Sequence, residues 1–206
     1  MLRELDEQLG WSEAAAAALI DPRDPRKVRH DILVLVRQRL YAFIAGHEDG
    51  NDHNRLRTDP ALKPVCDRRV DAGEDLAGQP TLSRFENAVT DEQIAQLNAL
   101  FVEQYIQLHK EDPPEVIVLD VDPTNDPCHG HQQLALFNGF YDQYMYLPML
   151  VFERDSGLLL GTRLRPGNVH PAHGVVEVLR PIVQALGEAF PDARIILRAD
   201  AGHAVP

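Results

Sequence analysis

Two carboxylates follow a short apolar strand in the middle of the chain. Residues 116–119 are four aliphatic residues (VIVL), and Asp120 and Asp122 come directly after them, before Pro123 ends the strand pattern. Because side chains alternate between the two faces of a strand, Asp120 and Asp122 lie on the same side. Carboxylates at the open end of a sheet can hold Mg²⁺. The pattern therefore indicates a metal site at the end of this strand.

A second apolar strand, predicted at residues 194–200 (RIILRAD), also ends in a carboxylate, Asp200. A right-handed crossover connection would place it beside the first strand in parallel, with Asp122 and Asp200 at neighbouring strand ends. Two carboxylates in that position can bridge divalent metal ions about 4 Å apart, the arrangement used for in-line phosphodiester chemistry. Asp122 and Asp200 are therefore the candidate catalytic and metal-binding residues, with Mg²⁺ or Mn²⁺ as the expected cofactor.

The segments between these acids are typical of a hairpin followed by a helix. An apolar strand is predicted at residues 145–153, a turn at residues 154–157 and a returning strand at residues 158–164. Pro171 then opens a helix whose apolar residues recur at helical spacing. The predicted order is strand, strand, strand, helix, strand, which is compatible with the crossover that joins the two acids.

The first half of the chain is predicted to be helical. Ser12 is expected to cap a helix at residues 13–20, and the apolar face of residues 28–45 predicts the strongest helix of this half. Thr90 and Gln93 form a capping-box pattern before another amphipathic helix. A helical N-terminal part followed by a mixed C-terminal part makes the fold class α+β or α/β.

Composition narrows the class of protein. The chain has 206 residues and a hydrophobic content of 44%, enough for one large domain or two small ones. No apolar run approaches the roughly 20 residues of a membrane helix, and the first residues do not resemble a signal peptide. The two cysteines, Cys66 and Cys128, are far apart in the sequence, as expected in a reducing compartment. These features predict a cytoplasmic protein without a membrane partner.

The charge is unevenly distributed along the chain, whose net charge is −12. Residues 1–69 hold 12 basic and 12 acidic residues, whereas residues 70–206 hold 8 and 20. A basic patch in the first part could contact DNA phosphates, although a solvated helix face is the simpler interpretation of the charges alone. The candidate DNA-binding residues are Arg26, Lys27, Arg29, Arg37 and, from a helix predicted at residues 79–86, Arg84.

Several motifs together resemble one protein family. They are LDVDPTNDPCHG (119–130), LRPGNVH (164–170) and LRADAG (197–202) in the second half, and DPRDP (21–25), EDGNDH (48–53), RLRTDP (55–60) and QPTLSRFEN (79–87) in the first. This set resembles bacterial insertion-sequence transposases of the DDE type, within the group named after insertion sequence thirteen-eighty. The resemblance implies DNA transposition, transposon-end DNA as partner, and Asp122 and Asp200 as the first two catalytic aspartates of an RNase H-like domain that binds Mg²⁺.

The resemblance also implies a division of the chain. Residues 1–112 would be the helical, DNA-binding region, and residues 113–206 the N-terminal half of an RNase H-like DDE catalytic domain, truncated after the second aspartate. The third acid of the family is a glutamate further on, and it has no counterpart here, so we expect little or no strand transfer from these residues alone. The strand ending at Asp200 would form an uncovered sheet edge, which makes a homo-oligomer possible.

Two alternatives remain open at this stage. The sequence VIVLDVDPT (116–124) also resembles the first motif of haloacid dehalogenase-type phosphatases, with Asp120 as nucleophile and Asp122 as general acid, although a hairpin follows and no lysine occurs after Lys110. The other alternative is a non-catalytic metal-binding or interaction module. Its candidate Zn²⁺ ligands would be His129, His131, His170, His173 and His203.

Overall fold

The computed structural model describes residues 1–71, 73–130 and 132–200. It contains two compact units, Met1–Leu97 and a second that begins at Asn98, so that one helix belongs partly to each unit. Within the described residues no helix is long and apolar enough to span a bilayer. Each unit has its own hydrophobic core, as the mixed α and β composition predicts.

The first unit is built from helices and two short 3₁₀ turns, Pro25–Lys27 and Gly50–Asp52. Its α-helices are α1 (Leu2–Leu9), α2 (Trp11–Ala17), α3 (Ile32–Ile44), α4 (His53–Leu56), α5 (Leu62–Val65), α6 (Gln79–Glu86) and the first part of α7 (Asp91–Leu108). The predicted capping box is confirmed at the start of α7. The Thr90 N–H donates to Gln93 Oε1 at 2.9 Å, and the Gln93 N–H donates to Thr90 Oγ1 at 3.4 Å.

Helix α3 supplies the core of this unit. Asp31 caps its N-terminus by accepting a hydrogen bond from the Val34 N–H at 2.8 Å, which explains why the helix begins later than the predicted residue 28. Val34, Leu35 and Tyr41 are buried along its length. Phe43 and Ile44, which the helical spacing placed on the apolar face, are 48% and 58% exposed, so the buried face of the helix is not the predicted one.

The prediction that Ser12 caps a helix is wrong. Gly10, in a left-handed conformation with φ of 67°, precedes α2, and Ser12 lies inside the helix and is buried. Its hydroxyl donates to Asp6 Oδ2 at 2.6 Å and its N–H donates to Asp6 Oδ1 at 2.8 Å. The Ser12 side chain thus bonds to a residue of α1 instead of capping α2. A short window of sequence does not reveal this contact.

Asp6 is the centre of a buried polar network. Only 6% of the residue is exposed, and its carboxylate also accepts from the Tyr41 hydroxyl, with Arg37 Nε 3.8 Å away. Burial alone would raise the pKa of Asp6, but the hydrogen bonds from Ser12 and Tyr41 and the charge of Arg37 lower it overall. The network therefore holds α1, α2 and α3 together through an ionised carboxylate.

A second buried network explains the EDGNDH motif. Gln38 and His53 are both fully buried, and Gln38 Nε2 lies 2.9 Å from His53 Nδ1. The Gln38 side chain also exchanges two hydrogen bonds with the backbone of Ala77. Burial, followed by the positive charge of Arg39, lowers the pKa of His53 to about 4. His53 is a neutral structural residue at neutral pH.

The second unit contains a four-stranded sheet and a helix packed on it. The strands are β1 (Val116–Pro123), β5 (Met149–Glu153), β6 (Leu159–Arg163) and β7 (Arg194–Ala199), in the order β6, β5, β1, β7, and the helix is α8 (Val175–Ala189). Strand β1 pairs antiparallel with β5 and parallel with β7. The predicted parallel pairing of the two acid-bearing strands is therefore present.

One face of this sheet forms the core of the second unit. Ile117, Leu119 and Val121 of β1 are buried on it and belong to the same apolar cluster as Ile182 of α8. A Cβ on Gly161 of β6 would come within 2.8 Å of Ile182 Cδ1, so the absent side chain allows α8 to pack closely. The apolar layer fixes α8 against the sheet, and α8 in turn returns the chain to β7.

The predicted hairpin is present as β5 and β6, and a small antiparallel sheet precedes it. This small sheet consists of β2 (Asp126–Pro127), β4 (Gln143–Tyr146) and β3 (Leu136–Asn138), in the order β2, β4, β3. The single strand predicted at residues 145–153 is wrong, because the chain breaks at Leu147 and Pro148 between β4 and β5. Gly167 packs against the backbone of Met145 and Leu136, where a Cβ would clash.

Strand β7 forms an edge of the four-stranded sheet, since it pairs only with β1 among the described strands. Leu197 is 54% exposed and Ile196 is 36% exposed on it. Apolar side chains on an unpaired edge favour association with another strand. A homo-oligomer through this edge remains a prediction.

We expect Asp6→Asn to destabilise the first unit by about 3 kcal/mol, because it leaves Arg37 and the two hydroxyl groups without their ionised acceptor. Urea unfolding at pH 7 measures the change. Glu4→Gln, on the same helix with a side chain 77% exposed, is the matched control and should change the stability by less than about 0.5 kcal/mol.

The same pair of proteins gives a pH test. Because the folded-state pKa of Asp6 is lowered, its contribution is complete above the unfolded-state pKa of about 3.9 and disappears as the pH falls through the folded-state pKa. The stability difference between wild type and Asp6→Asn should therefore shrink in strong acid. A difference that is small at pH 7, or that does not change with pH, would contradict the role given to the Asp6 carboxylate.

Candidate active site

The structure brings Asp122 and Asp200 to the same edge of the main sheet. Val121 and Ala199 are the last paired residues of β1 and β7, and Asp122 and Asp200 are the next residues on the two strands. Neighbouring strands lie about 4.8 Å apart, so the two backbones are close enough for their carboxylates to approach one ion. Both residues are exposed. The carboxyl ends of two parallel strands thus present two acids to solvent.

Asp120 shares the face of Asp122 but has its own partner. Arg198 Nε donates to Asp120 Oδ1 at 2.6 Å and Arg198 Nη2 donates to Asp120 Oδ2 at 2.5 Å, a bidentate pair across β1 and β7. The hydrogen bonds and charge of Asp120 raise the pKa of Arg198. Asp120 and Arg198 face each other across β1 and β7, and Asp122 and Asp200 come two residues later on the same strands. The arrangement compensates the Asp120 charge within the sheet.

The candidate zinc ligands do not form a cluster among the described residues. His129, His170 and His173 are described, whereas His131 and His203 lie outside the described residues. No group of three or more His, Cys, Asp or Glu residues in the described part of the chain is placed to hold a metal ion.

A cleft in the first unit collects several of the candidate DNA-binding residues. It encloses about 640 Å³, with Leu76 and Phe85 among its apolar lining residues and Lys27, Arg29 and Arg84 among its basic ones. None of these three cations forms a salt bridge within the described residues. Arg84 Nη2 donates to Thr81 Oγ1 at 3.4 Å, inside the cleft. The cleft thus combines an apolar surface with three cations that have no salt-bridge partner among the described residues, although Asp21, Glu74 and Asp75 also line it.

The other two candidates have carboxylate partners. Arg26 is exposed and pairs with Asp24 at 3.0 Å, so part of its charge is compensated locally. Arg37 lies in the interior, with a side chain only 3% exposed, and its guanidinium pairs with Asp67 at 2.6 Å and with Glu13 at 3.2 Å. Its position is structural, since no face of the guanidinium remains for a phosphate.

His30 also lines the cleft. Its Nδ1 is buried and has no hydrogen-bond partner in the described part of the chain. Burial, followed by the positive charge of Arg68, lowers the pKa of His30. A neutral imidazole among cations adds no positive charge to the cleft, but its unused nitrogen leaves a polar group for a bound molecule or water.

The whole chain, residues 1–206, matches the family described as Transposase DDE domain group 1. The chain belongs to this family. No curated protein and no solved structure matches the chain significantly. DDE transposases normally use a divalent metal ion.

Sequence reasoning missed several features of this edge. Arg163 and Arg165 were not selected, although both lie where the chain leaves β6. The exposed aromatic residues of the small sheet were also missed, including Phe137 and Tyr144, whose rings meet edge to face at 5.6 Å. Five of the 13 aromatic residues of the chain lie between residues 137 and 146, a density that could have drawn attention to this segment.

We expect the ion pair between Asp120 and Arg198 to contribute little to stability, since the Arg198 side chain is 60% exposed. A double-mutant cycle with Asp120→Asn and Arg198→Gln should give a coupling energy of about 0.2–1 kcal/mol by urea unfolding. A coupling well above 2 kcal/mol would contradict a solvent-screened pair. The single variant Asp120→Asn in the same cycle shows directly whether it stays folded and can serve as a control for functional tests.

Proposed function

We propose that this chain acts in DNA transposition as a member of the insertion sequence thirteen-eighty group, with an RNase H-like catalytic region. The observation that carries the proposal is the parallel pairing of β1 and β7, which gives Asp122 and Asp200 a common sheet edge. The strand order supports it as well, because an antiparallel hairpin flanks β1 on one side and a strand that follows a crossover helix flanks it on the other.

The residues at the edge fit a divalent metal ion. Exposed carboxylate oxygens are the donors that Mg²⁺ and Mn²⁺ prefer, and the pair offers them from two rigid strands. When bound, such an ion activates the attacking oxygen and neutralises charge at the phosphodiester. In this assignment Asp122 and Asp200 hold the ion, while Arg198 keeps Asp120 engaged within the sheet.

The proposed activity of these residues alone is low. The third acid of the family has no counterpart in residues 1–206, and Asp122 and Asp200 fill only part of a two-metal donor set. Phosphoryl transfer depends on how accurately the metal and the reacting oxygens are positioned. We therefore expect residues 1–206 to bind a metal ion more readily than they join DNA strands.

The phosphatase alternative has less support. It requires Asp120 to attack a phosphoryl group, and Arg198 engages both oxygens of that carboxylate. The connection after β1 also leads through the small sheet into an antiparallel strand rather than into a helix. Neither feature favours a nucleophilic Asp120.

DNA binding is proposed for residues 1–112. The principal phosphate contacts are three cations of the cleft, Lys27, Arg29 and Arg84. Arg26, in the 3₁₀ turn Pro25–Lys27, is a weaker contact because its salt bridge with Asp24 compensates part of its charge. Arg37 is left out of this set, since its side chain is buried in ion pairs. The acidic second part of the chain repels phosphate, except where a metal ion or a local cation intervenes.

We expect Asp122→Asn and Asp200→Asn each to weaken Mn²⁺ binding more than tenfold in calorimetric titration, because each removes a charged ligand. Asp120→Asn removes the same charge from the same sheet face and should change the affinity by less than about threefold, since Arg198 already compensates that carboxylate. An equal loss for Asp120→Asn, or no loss for Asp200→Asn, would argue against the assigned pair.

The triple variant Lys27→Gln, Arg29→Gln, Arg84→Gln tests the cleft. We expect it to reduce the magnitude of the negative slope of log affinity against log salt for duplex DNA by about 2.7. Each lost phosphate contact reduces that magnitude by about 0.9. Fluorescence anisotropy at several salt concentrations measures the slope. The control triple variant Arg69→Gln, Arg154→Gln, Arg180→Gln makes the same change in net charge at exposed positions outside the cleft. Equal slopes for the two variants would refute the cleft as the DNA site.

A further inference from the structure

Positive groups without carboxylate partners collect at the sheet edge that carries Asp122. Strand β6 ends at Arg163, which is paired in register with Met149, and Met149 is in turn paired with Pro123 at the end of β1. The end of β6 and the segment after it therefore lie at the edge where β1 delivers Asp122. Arg163 is exposed and forms no salt bridge with any residue that the structure describes.

Arg165 is buried without a counter-ion. The residue is only 2% exposed, and its guanidinium donates to three backbone carbonyls, of Leu147 at 2.8 Å, Pro171 at 2.7 Å and His173 at 2.9 Å. Its Nη2 is buried with no partner among the described residues. A buried charge that is not neutralised costs several kcal/mol in general, so its retention requires a compensating interaction.

The start of α8 adds a third positive element. Gly174 precedes the helix in a left-handed conformation and no side chain caps the helix, so the first N–H groups of this 15-residue helix are not all satisfied. Arg163 Nη1 lies 3.1 Å from the position that a Cβ on Gly174 would occupy, which places the guanidinium over the helix start. Glu177 is the one acid in the first turn.

These three elements belong to one location. Arg165 donates to the carbonyls of Pro171 and His173, in the turn that leads into α8, and Arg163 lies over the first residue of the same helix. Two guanidinium groups and a helix N-terminus repel one another, and the repulsion is not offset by a carboxylate salt bridge in the described residues. No carboxylate among the described residues forms a salt bridge with either guanidinium group, so the positive charge at this location is available to an anion.

We propose that Arg163, the N-terminal amide groups of α8 and the buried Arg165 form a phosphate-binding site, and that it takes a backbone phosphate of DNA. This rests on the proposed function. Arg163 and the amide groups of residues 176 and 177 donate to the phosphate oxygens, whereas the Val175 N–H already donates to the Ala172 carbonyl at 3.4 Å. Glu177 limits the affinity by its own charge. Arg165 is a positioning residue, because its hydrogen bonds fix the turn before α8 and its charge adds to the field.

The site lies at the same sheet edge as Asp122, which favours a DNA phosphate over a free one. Arg163 lies two strands from Asp122 and on the face that carries α8, whereas Asp122 lies on the opposite face, so a ligand that meets both must cross the edge of the sheet. A DNA strand carries a row of phosphates along such a path, whereas a free phosphate ion does not. The site would then hold the strand beside the point of cleavage. The oxygens of free inorganic phosphate can accept the same hydrogen bonds from the site. The test therefore needs one arm for DNA and one for free phosphate.

The first arm measures duplex DNA binding by the full chain without metal ions. Arg163→Gln should lower the slope of log affinity against log salt by about 0.9, equivalent to about an eightfold loss at 0.1 M salt relative to 1 M salt. Arg154→Gln is the matched control, because Arg154 is also an exposed arginine of the β5–β6 hairpin but lies at its opposite end, paired with Asp155 at 2.7 Å. An identical slope for both variants overturns the proposal.

The second arm follows the backbone amide signals of residues 176 and 177 by NMR during titration with inorganic phosphate. We expect these signals to shift in the wild type and in Arg154→Gln and to remain fixed in Arg163→Gln. Shifts with free phosphate but an unchanged DNA salt slope would overturn the DNA assignment, and fixed signals in the wild type would overturn the site itself. Mn²⁺ binding by Asp122 and Asp200 is measured separately, so failure here is distinguishable from failure of the proposed function.

Discussion

The parallel pairing of β1 with β7 is the constraint on which the second unit depends. Parallel neighbours cannot be joined by a tight turn, so the chain must travel back along the sheet, and it does so through α8. The apolar layer of Ile117, Leu119, Val121 and Ile182 fixes that helix to the sheet. Because this layer sets the register of the two strands, it also sets the separation of Asp122 and Asp200. Hydrophobic packing on one face of the sheet thus determines the geometry of the charged groups at its end.

Several arginine and lysine side chains of the chain fall into two groups. In the first unit Arg37 and Arg39 of α3 form salt bridges with Glu13 of α2 and Glu86 of α6 and so join these helices. Lys27, Arg29 and Arg84 line a cleft and have no salt-bridge partner among the described residues. Arg163 also has no such partner, and it lies at the sheet edge that carries Asp122. In an acidic protein, cations that are left without acids identify the surfaces available to an anionic polymer more clearly than net charge does.

The sequence predicted the elements that depend on local patterns. The aliphatic run before Asp120, the capping box at Thr90 and the helix at residues 79–86 all depend on neighbours in the chain, and the structure contains them. Ser12 and Arg37 were misjudged because their partners come from other parts of the chain, Asp6 from α1 and Asp67 from the turn after α5. The charge pattern alone does not separate a buried arginine from an exposed one, and Arg165 could not be singled out for the same reason. Long-range polar contacts are set by packing, which no short window of sequence records.

The central claim is that Asp122 and Asp200 hold one divalent metal site. The most direct measurement is a crystal structure of the chain with Mn²⁺, in which anomalous difference density locates the ion. The account predicts a peak coordinated by carboxylate oxygens of both Asp122 and Asp200, with Asp120 still paired to Arg198. Carboxylates of Asp122 and Asp200 more than about 10 Å apart, or a principal peak at Asp120 or at the histidines instead, would contradict it.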